Sequence, residues 1–178
     1  ARLVMPEAKD TLANYLTPAI REVVRNEVED PIRAQGKLYG RPRIYDNLLS
    51  SQPLCFNLFG ELTLDLELAT TALRDMTAGR IDRVVAIDFE YSPGRGDDRY
   101  TGDRSAFDVY VRYETPSSGT GFVGIEVKYH EGLDDPVAAV GGGNEPRGEL
   151  GDGLVMVAVG FQVGSHQAFE PCPRFHED

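Results

Sequence analysis

The sequence predicts one mixed α/β domain in which helices come first and a sheet follows. Three observations carry this. Apolar residues recur at helical spacing as far as Met76. Three segments rich in β-branched and aromatic residues then follow in succession, at residues 84–91, 106–113 and 121–129. The chain has 178 residues, of which 41% are hydrophobic and 26% charged, which is the length and balance of one soluble globular domain.

Thr17 followed by Pro18 gives an N-cap with proline at the first helical position. Ile20, Val23, Val24 and Val28 then fall on one face, and Pro31 stops the helix. Residues 37–43, KLYGRPR, read as a connector containing Gly40 and Pro42. Ser51 is placed to cap a second helix through Pro53, Leu54, Leu58, Phe59 and Leu62. Leu62, Leu64, Leu66 and Leu68 alternate as in a strand, whereas Leu66, Ala69, Leu73 and Met76 keep helical spacing. Leu, Glu and Ala favour helix, so residues 61–76 are expected to be helical, with Gly79 ending the element.

In the second strand segment Phe107, Val109, Val111 and Tyr113 are expected on one face, with Asp108, Tyr110 and Arg112 on the other. In the third, Val123, Ile125 and Val127 stand opposite Phe122, Gly124, Glu126 and Lys128. A loop at residues 92–103 joins the first pair, and TPSSGTG joins the second as a hairpin. Residues 154–163, LVMVAVGFQV, read as a final buried strand.

Composition removes several classes of function. The longest apolar run, residues 154–159, is far short of the roughly 20 residues that span a bilayer. The first residues, ARLVMPEAKD, contain no apolar core of a secretory signal. Cys55 and Cys172 make neither a disulfide framework nor a zinc site, and the three histidines contain no ligand-spaced pair. A cytoplasmic enzyme or binding module is the expectation. The net charge of −11 argues as a whole against a nucleic-acid binder. Its distribution is uneven: residues 1–50 are net +1 and residues 131–178 net −7. Arg21, Arg25, Arg33, Lys37, Arg41 and Arg43 all lie in the first part.

One constellation can carry chemistry: Asp108 on the middle strand, then Glu126 and Lys128 two residues apart on the next. Residues i and i+2 of a strand share a face, about 7 Å apart. In an antiparallel hairpin Asp108 and Glu126 meet if pairing positions sum to 234, and part if they sum to 235; the connecting loop allows either. In the first register two hard carboxylates and an ammonium converge. Mg²⁺ takes only one or two carboxylates and keeps waters, and a neighbouring Lys can orient such a water or stabilise charge on a phosphate.

The order FDV, then EVK eighteen residues after the Asp, on adjacent strands behind a helix and a first strand, resembles the PD-(D/E)XK nuclease superfamily. That likeness covers about residues 51–131, and SSQPLCFNLFGEL (residues 50–62) with FEYSP (residues 89–93) resembles a bacterial subgroup of it. The resemblance implies a restriction-endonuclease-like αβββαβ core behind an N-terminal helical extension. It assigns Asp108, Glu126 and Lys128 as catalytic residues, and Asp108, Glu126 and the Val127 carbonyl as holders of Mg²⁺ or Mn²⁺. Phe107 stands where the motif has proline. The function implied is metal-dependent hydrolysis of nucleic acid, DNA first. The alternative is a catalytically inactive nuclease-like module that binds a protein partner.

Lesser candidates surround this set. Glu61, before the sheet, is either an extra acid for the metal, as in some superfamily members, or an ordinary surface glutamate. Glu90 ends the first strand and either reaches the same cleft or is an edge charge. Gln52 sits beside the helix cap, residues 92–96 read as a turn or a phosphate-facing loop, and Cys55 reads as a buried structural thiol. GGGN at residues 141–144 is no nucleotide fingerprint. The whole is read as one domain, residues 1–178: a helical extension (1–50), a motif-bearing core (51–131) and a glycine-rich acidic part (132–178). Gly141, Gly142 and Gly143 oppose the helix that the resemblance requires there, so an incomplete or altered C-terminal part, for example through a reading-frame change, is expected.

Overall fold

The computed structural model describes residues 1–92 and 106–128, together with the backbone of residues 156–162. Helices come first. Helix α1 (Glu7–Thr11) is short; α2 (Pro18–Val24) starts where Thr17 Oγ1 accepts the Ile20 N–H at 3.2 Å. A π-helical turn, Arg25–Glu29, carries α2 on to Asp30, and Ile20, Val23, Val24 and Val28 are all buried as their spacing predicts. The expected connector, residues 37–43, leads into a further short helix, α3 (Arg43–Asp46), which buries Ile44 and Tyr45.

Helix α4 (Ser51–Phe59) begins at the residue expected to cap it, and Ser50, one residue earlier, holds the N-cap position. It ends at Gly60 rather than running to Leu62. The expected helix of residues 61–76 is in fact two pieces. A 3₁₀ turn, Glu61–Thr63, is followed by α5 (Leu66–Met76), because the Asp65 carboxylate accepts the Leu68 N–H at 2.9 Å and caps a new helix there. Leu64 and Leu68 are left exposed, so the leucine alternation belongs to neither a strand nor one helical face. Past α5 the Gly79 N–H returns to the Arg74 carbonyl at 3.0 Å with φ 78°, a left-handed closure suited to glycine.

Strands β1 (Arg83–Tyr91), β2 (Phe107–Glu114), β3 (Thr120–Lys128) and β4 (Met156–Gln162) form one sheet in that order, each antiparallel to its neighbour. β4 runs antiparallel to β3, from Phe122 opposite Gln162 to Lys128 opposite Met156. A helical crossover would join parallel strands, so this pairing does not require the second helix of an αβββαβ order. The described residues show helices on a three-stranded antiparallel sheet extended by a fourth strand. The loop and glycine-rich segments at residues 93–105, 129–155 and 163–178 lie outside them.

The core lies between α4, α5 and one face of the sheet. Phe56 of α4 stacks on Phe89 of β1 at 4.2 Å and meets Tyr15 edge-on at 6.1 Å. Val109, Val111, Val123, Ile125 and Val127 complete that face, all buried. Each such side chain contributes about 1.5–3 kcal/mol on burial. The core therefore fixes α4 across the strand ends that carry the candidate residues. Among the described residues no helix is long and apolar enough to cross a membrane.

Candidate active site

Three neighbouring strands carry three acids at matching levels of the sheet. Phe89 pairs with Val109 and Tyr91 with Phe107, which sets Glu90 beside Asp108. Val109 pairs with Ile125 and Tyr110 with Gly124, so pairing positions sum to 234 and Asp108 stands at the level of Glu126. This is the register in which the acids meet. Asp108 also takes over a place in the ladder: its Oδ2 accepts the Val127 N–H at 2.7 Å. The N–H and C=O of a strand residue point to the same side, so the Val127 carbonyl is directed towards the same neighbour.

The strand ends do not alternate as expected. Phe107 was expected beside Val109; instead its ring stacks with Tyr110 at 5.9 Å and lies over Gly124, where a Cβ would come within 2.3 Å of it. Tyr91 likewise stacks on Tyr110 at 4.6 Å. The switch in β1 occurs at Glu90, whose φ of 49° is left-handed and strained for a residue with a side chain. With Phe107 turned to that side, Asp108 lines a pocket facing α4. Its other walls are Phe89 and Glu90, with Gln52, Cys55 and Phe56 from α4 and Tyr39 from the loop before α3.

The electrostatics follow from this packing. Burial raises the Glu126 pKa above the usual carboxylate value, and the nearby Asp108 charge raises it further. Lys128, whose Nζ lies 3.3 Å from Glu126 Oε2, pulls it back down. Burial is also the main cause that raises the Cys55 thiol, helped by Asp108, Glu126 and Glu90. Cys55 is a buried free thiol that stays protonated beneath the acids.

Among the described residues no three His, Cys, Asp or Glu side chains are gathered closely enough to hold a metal ion by themselves. Two adjacent carboxylates and a carbonyl are nevertheless a donor set that suits Mg²⁺ or Mn²⁺, which take oxygen ligands and retain waters. Zinc, with its preference for nitrogen and sulfur, is not matched.

Other candidates go elsewhere. Glu61 accepts the Thr17 hydroxyl at 2.6 Å and does not line the pocket, whereas Glu90 does. The basic residues of the first part are largely engaged within the fold. Arg33 and Lys37 pair with Glu27 at 2.9 and 2.7 Å, and Arg25 pairs with Glu22 at 3.5 Å. Arg41 donates to the Val28 carbonyl and Arg43 to Ser50 Oγ. Two pocket residues were given no role in the site by the sequence reading: Tyr39, partly buried in the connector, and Gln52, noted there only as a neighbour of the helix cap, whose amide binds the backbone on both sides of Tyr39. The only signal for them was their place in KLYG and SQP, which carries no spacing rule.

No curated protein matches the chain, and no solved structure does. A comparison with protein-family models matches residues 1–148, most of the chain and all of the described motif, to the PD-(D/E)XK nuclease superfamily. The chain belongs to the PD-(D/E)XK nuclease superfamily.

Proposed function

We propose that this protein is a DNA nuclease that depends on Mg²⁺ or Mn²⁺, with Asp108, Glu126 and Lys128 as its catalytic residues. The superfamily carries nuclease-type phosphodiester hydrolysis in general, acts on nucleic acid and generally uses divalent metal ions. One observation supports carrying this to named residues: the register that sums to 234 brings the Asp108 carboxylate to Glu126, with Lys128 Nζ 3.3 Å from Glu126. Residues 1–178 are read as one nuclease-like domain acting in the cytoplasm.

Asp108, Glu126 and the Val127 carbonyl are the groups that would hold the metal. When bound, it would supply Lewis-acid polarisation of the phosphate and a water of lowered pKa. The chain's own residues do the rest. The Val127 N–H fixes the rotamer of Asp108, so its free oxygen is presented in one direction. Lys128, 70% exposed at its side chain, is tied to Glu126 only by a surface-type pair. Its ammonium can therefore turn to a bound phosphate, where it orients the attacking water and offsets charge that grows in the transition state. The Phe56 and Phe89 rings wall the inner side of the pocket and exclude bulk water from it.

Nicking of supercoiled plasmid with Mn²⁺ or Mg²⁺ tests the proposal, with wild type beside Lys128→Ala. Cleavage by wild type that falls by 10²-fold or more, roughly, in the variant supports it. Cleavage unchanged in the variant rejects the role given to Lys128, and no cleavage by wild type rejects the nuclease reading and favours the inactive, partner-binding module.

A further inference from the structure

The pocket beside Asp108 contains a group that the chemistry above does not use. Gln52 engages one loop with both ends of its amide: Oε1 accepts the Gly40 N–H at 2.9 Å and Nε2 donates to the Leu38 carbonyl at 3.0 Å. Tyr39, between them, is thereby held in place. Its ring packs on Phe56 at 6.0 Å, and Lys37 Nζ lies 5.9 Å from its centroid. The Tyr39 hydroxyl oxygen is buried and has no hydrogen-bond partner among the described residues. Buried hydroxyls are ordinarily bonded, and one left open in a rigid pocket calls for a partner that arrives from outside.

The chemistry of the walls indicates what that partner is. Asp108 and Glu90 are acceptors when ionised, Phe56 and Phe89 offer nothing polar, and the Cys55 thiol is a weak donor. The Gln52 amide gives its oxygen and one of its N–H groups to the loop. Among the described residues that line the pocket, Tyr39 is therefore a strong side-chain donor with no partner at all. Burial keeps it protonated, reinforced by the charges of Glu27 and Glu90. The space in the pocket, which is partly open, accepts a group about the size of a single oxygen. We propose that the Tyr39 hydroxyl donates a hydrogen bond to a non-bridging phosphate oxygen of bound nucleic acid, beside the Asp108 carboxylate. This rests on the nuclease reading of the site. A donor there offsets the repulsion that an anion meets from two carboxylates, and it fixes the phosphate against the acids.

The test is Tyr39→Phe, which removes one oxygen and keeps the ring. Binding of a labelled duplex oligonucleotide is followed by fluorescence anisotropy, with Ca²⁺ replacing Mg²⁺ so that cleavage does not intervene. Thermal unfolding and kcat/KM in Mg²⁺ are measured on the same preparations. A hydrogen bond to a charged oxygen predicts that affinity and kcat/KM each fall roughly 10- to 100-fold. Tm stays level or rises, since the lost hydroxyl had no partner within the fold. Unchanged affinity and unchanged kcat/KM would overturn the proposal and leave the hydroxyl with an ordinary water. A loss of binding matched by a fall in Tm would also overturn it, by assigning the hydroxyl to the fold. If wild type binds but does not cleave, the nuclease reading fails while the binding comparison still decides Tyr39. If wild type does neither, both fail.

Discussion

Replacing Asp108 in two ways separates its place in the fold from its place in the site. Its Oδ2 accepts the N–H of Val127, a residue that is 0% exposed. Asp108→Ala leaves that N–H without its acceptor, which costs about 1–3 kcal/mol. Asp108→Asn keeps an oxygen that can accept the same bond and removes only the charge. The two variants should therefore differ in stability by about 1–3 kcal/mol, Asn being the more stable. In a domain of this size that corresponds to roughly 2–4 °C in Tm per kcal/mol. The Asn variant also relieves Glu126, because the Asp108 charge is the second cause of its raised pKa. A carboxylate whose folded pKa is raised imposes no penalty below its unfolded value of 4.5. Stability is lost as pH rises through the folded value, and the loss saturates beyond it. Between acid and neutral pH, Asp108→Asn should therefore lose less stability than wild type. Urea unfolding followed by circular dichroism at about pH 4 and about pH 7 reads both effects. Equal stabilities for the Ala and Asn variants would refute the Val127 hydrogen bond. A wild-type and Asn profile that run parallel would refute the coupling to Glu126.

Lys128→Ala should raise the Glu126 pKa further, since Lys128 is what lowers it, and NMR titration of the Glu126 carboxyl carbon would show the direction. Its effect on stability should stay within about 1 kcal/mol, as for an exposed ion pair. Gly124→Ala should destabilise by about 1–3 kcal/mol, because its Cβ would lie 2.3 Å from the Phe107 ring; a neutral result in denaturant melts would contradict that packing. Glu61→Gln should leave metal-dependent cleavage unchanged within twofold, roughly, since its carboxylate bonds Thr17 outside the pocket; a large loss in kcat would return it to the site.

Much of the sheet was legible because strands in this chain follow hydrophobic alternation, and each observed strand lies within a residue or two of its expected bounds. The hairpin register was open between two sums; the structure pairs Val109 with Ile125, both buried, which gives 234. Local chemistry hid the rest. Asp65 looked like one more residue in a leucine-rich helix, yet its carboxylate caps α5 and splits the segment. Phe107 obeyed the period in the sequence, but the bare α-carbon of Gly124 on the neighbouring strand gives its ring a seat on the other side. Glu90 was a strand-end charge by pattern; its backbone is left-handed, and it lines the pocket together with Asp108. Tyr39 lies in a connector without periodicity and Gln52 in the first turn of α4, and they converge on the pocket only in the folded chain, where Gln52 bonds the backbone on both sides of Tyr39.

The central claim is that Asp108 and Glu126 act together as one divalent-metal site. Mn²⁺-dependent thermal stabilisation measures it most directly, in wild type, Asp108→Asn and Glu126→Gln. Binding to the folded state alone stabilises by about 2.7 kcal/mol when the free metal is at about 100 times its dissociation constant. The account predicts a clear rise in Tm for wild type and none for either variant. A rise retained in either variant, or absent from wild type, would contradict it.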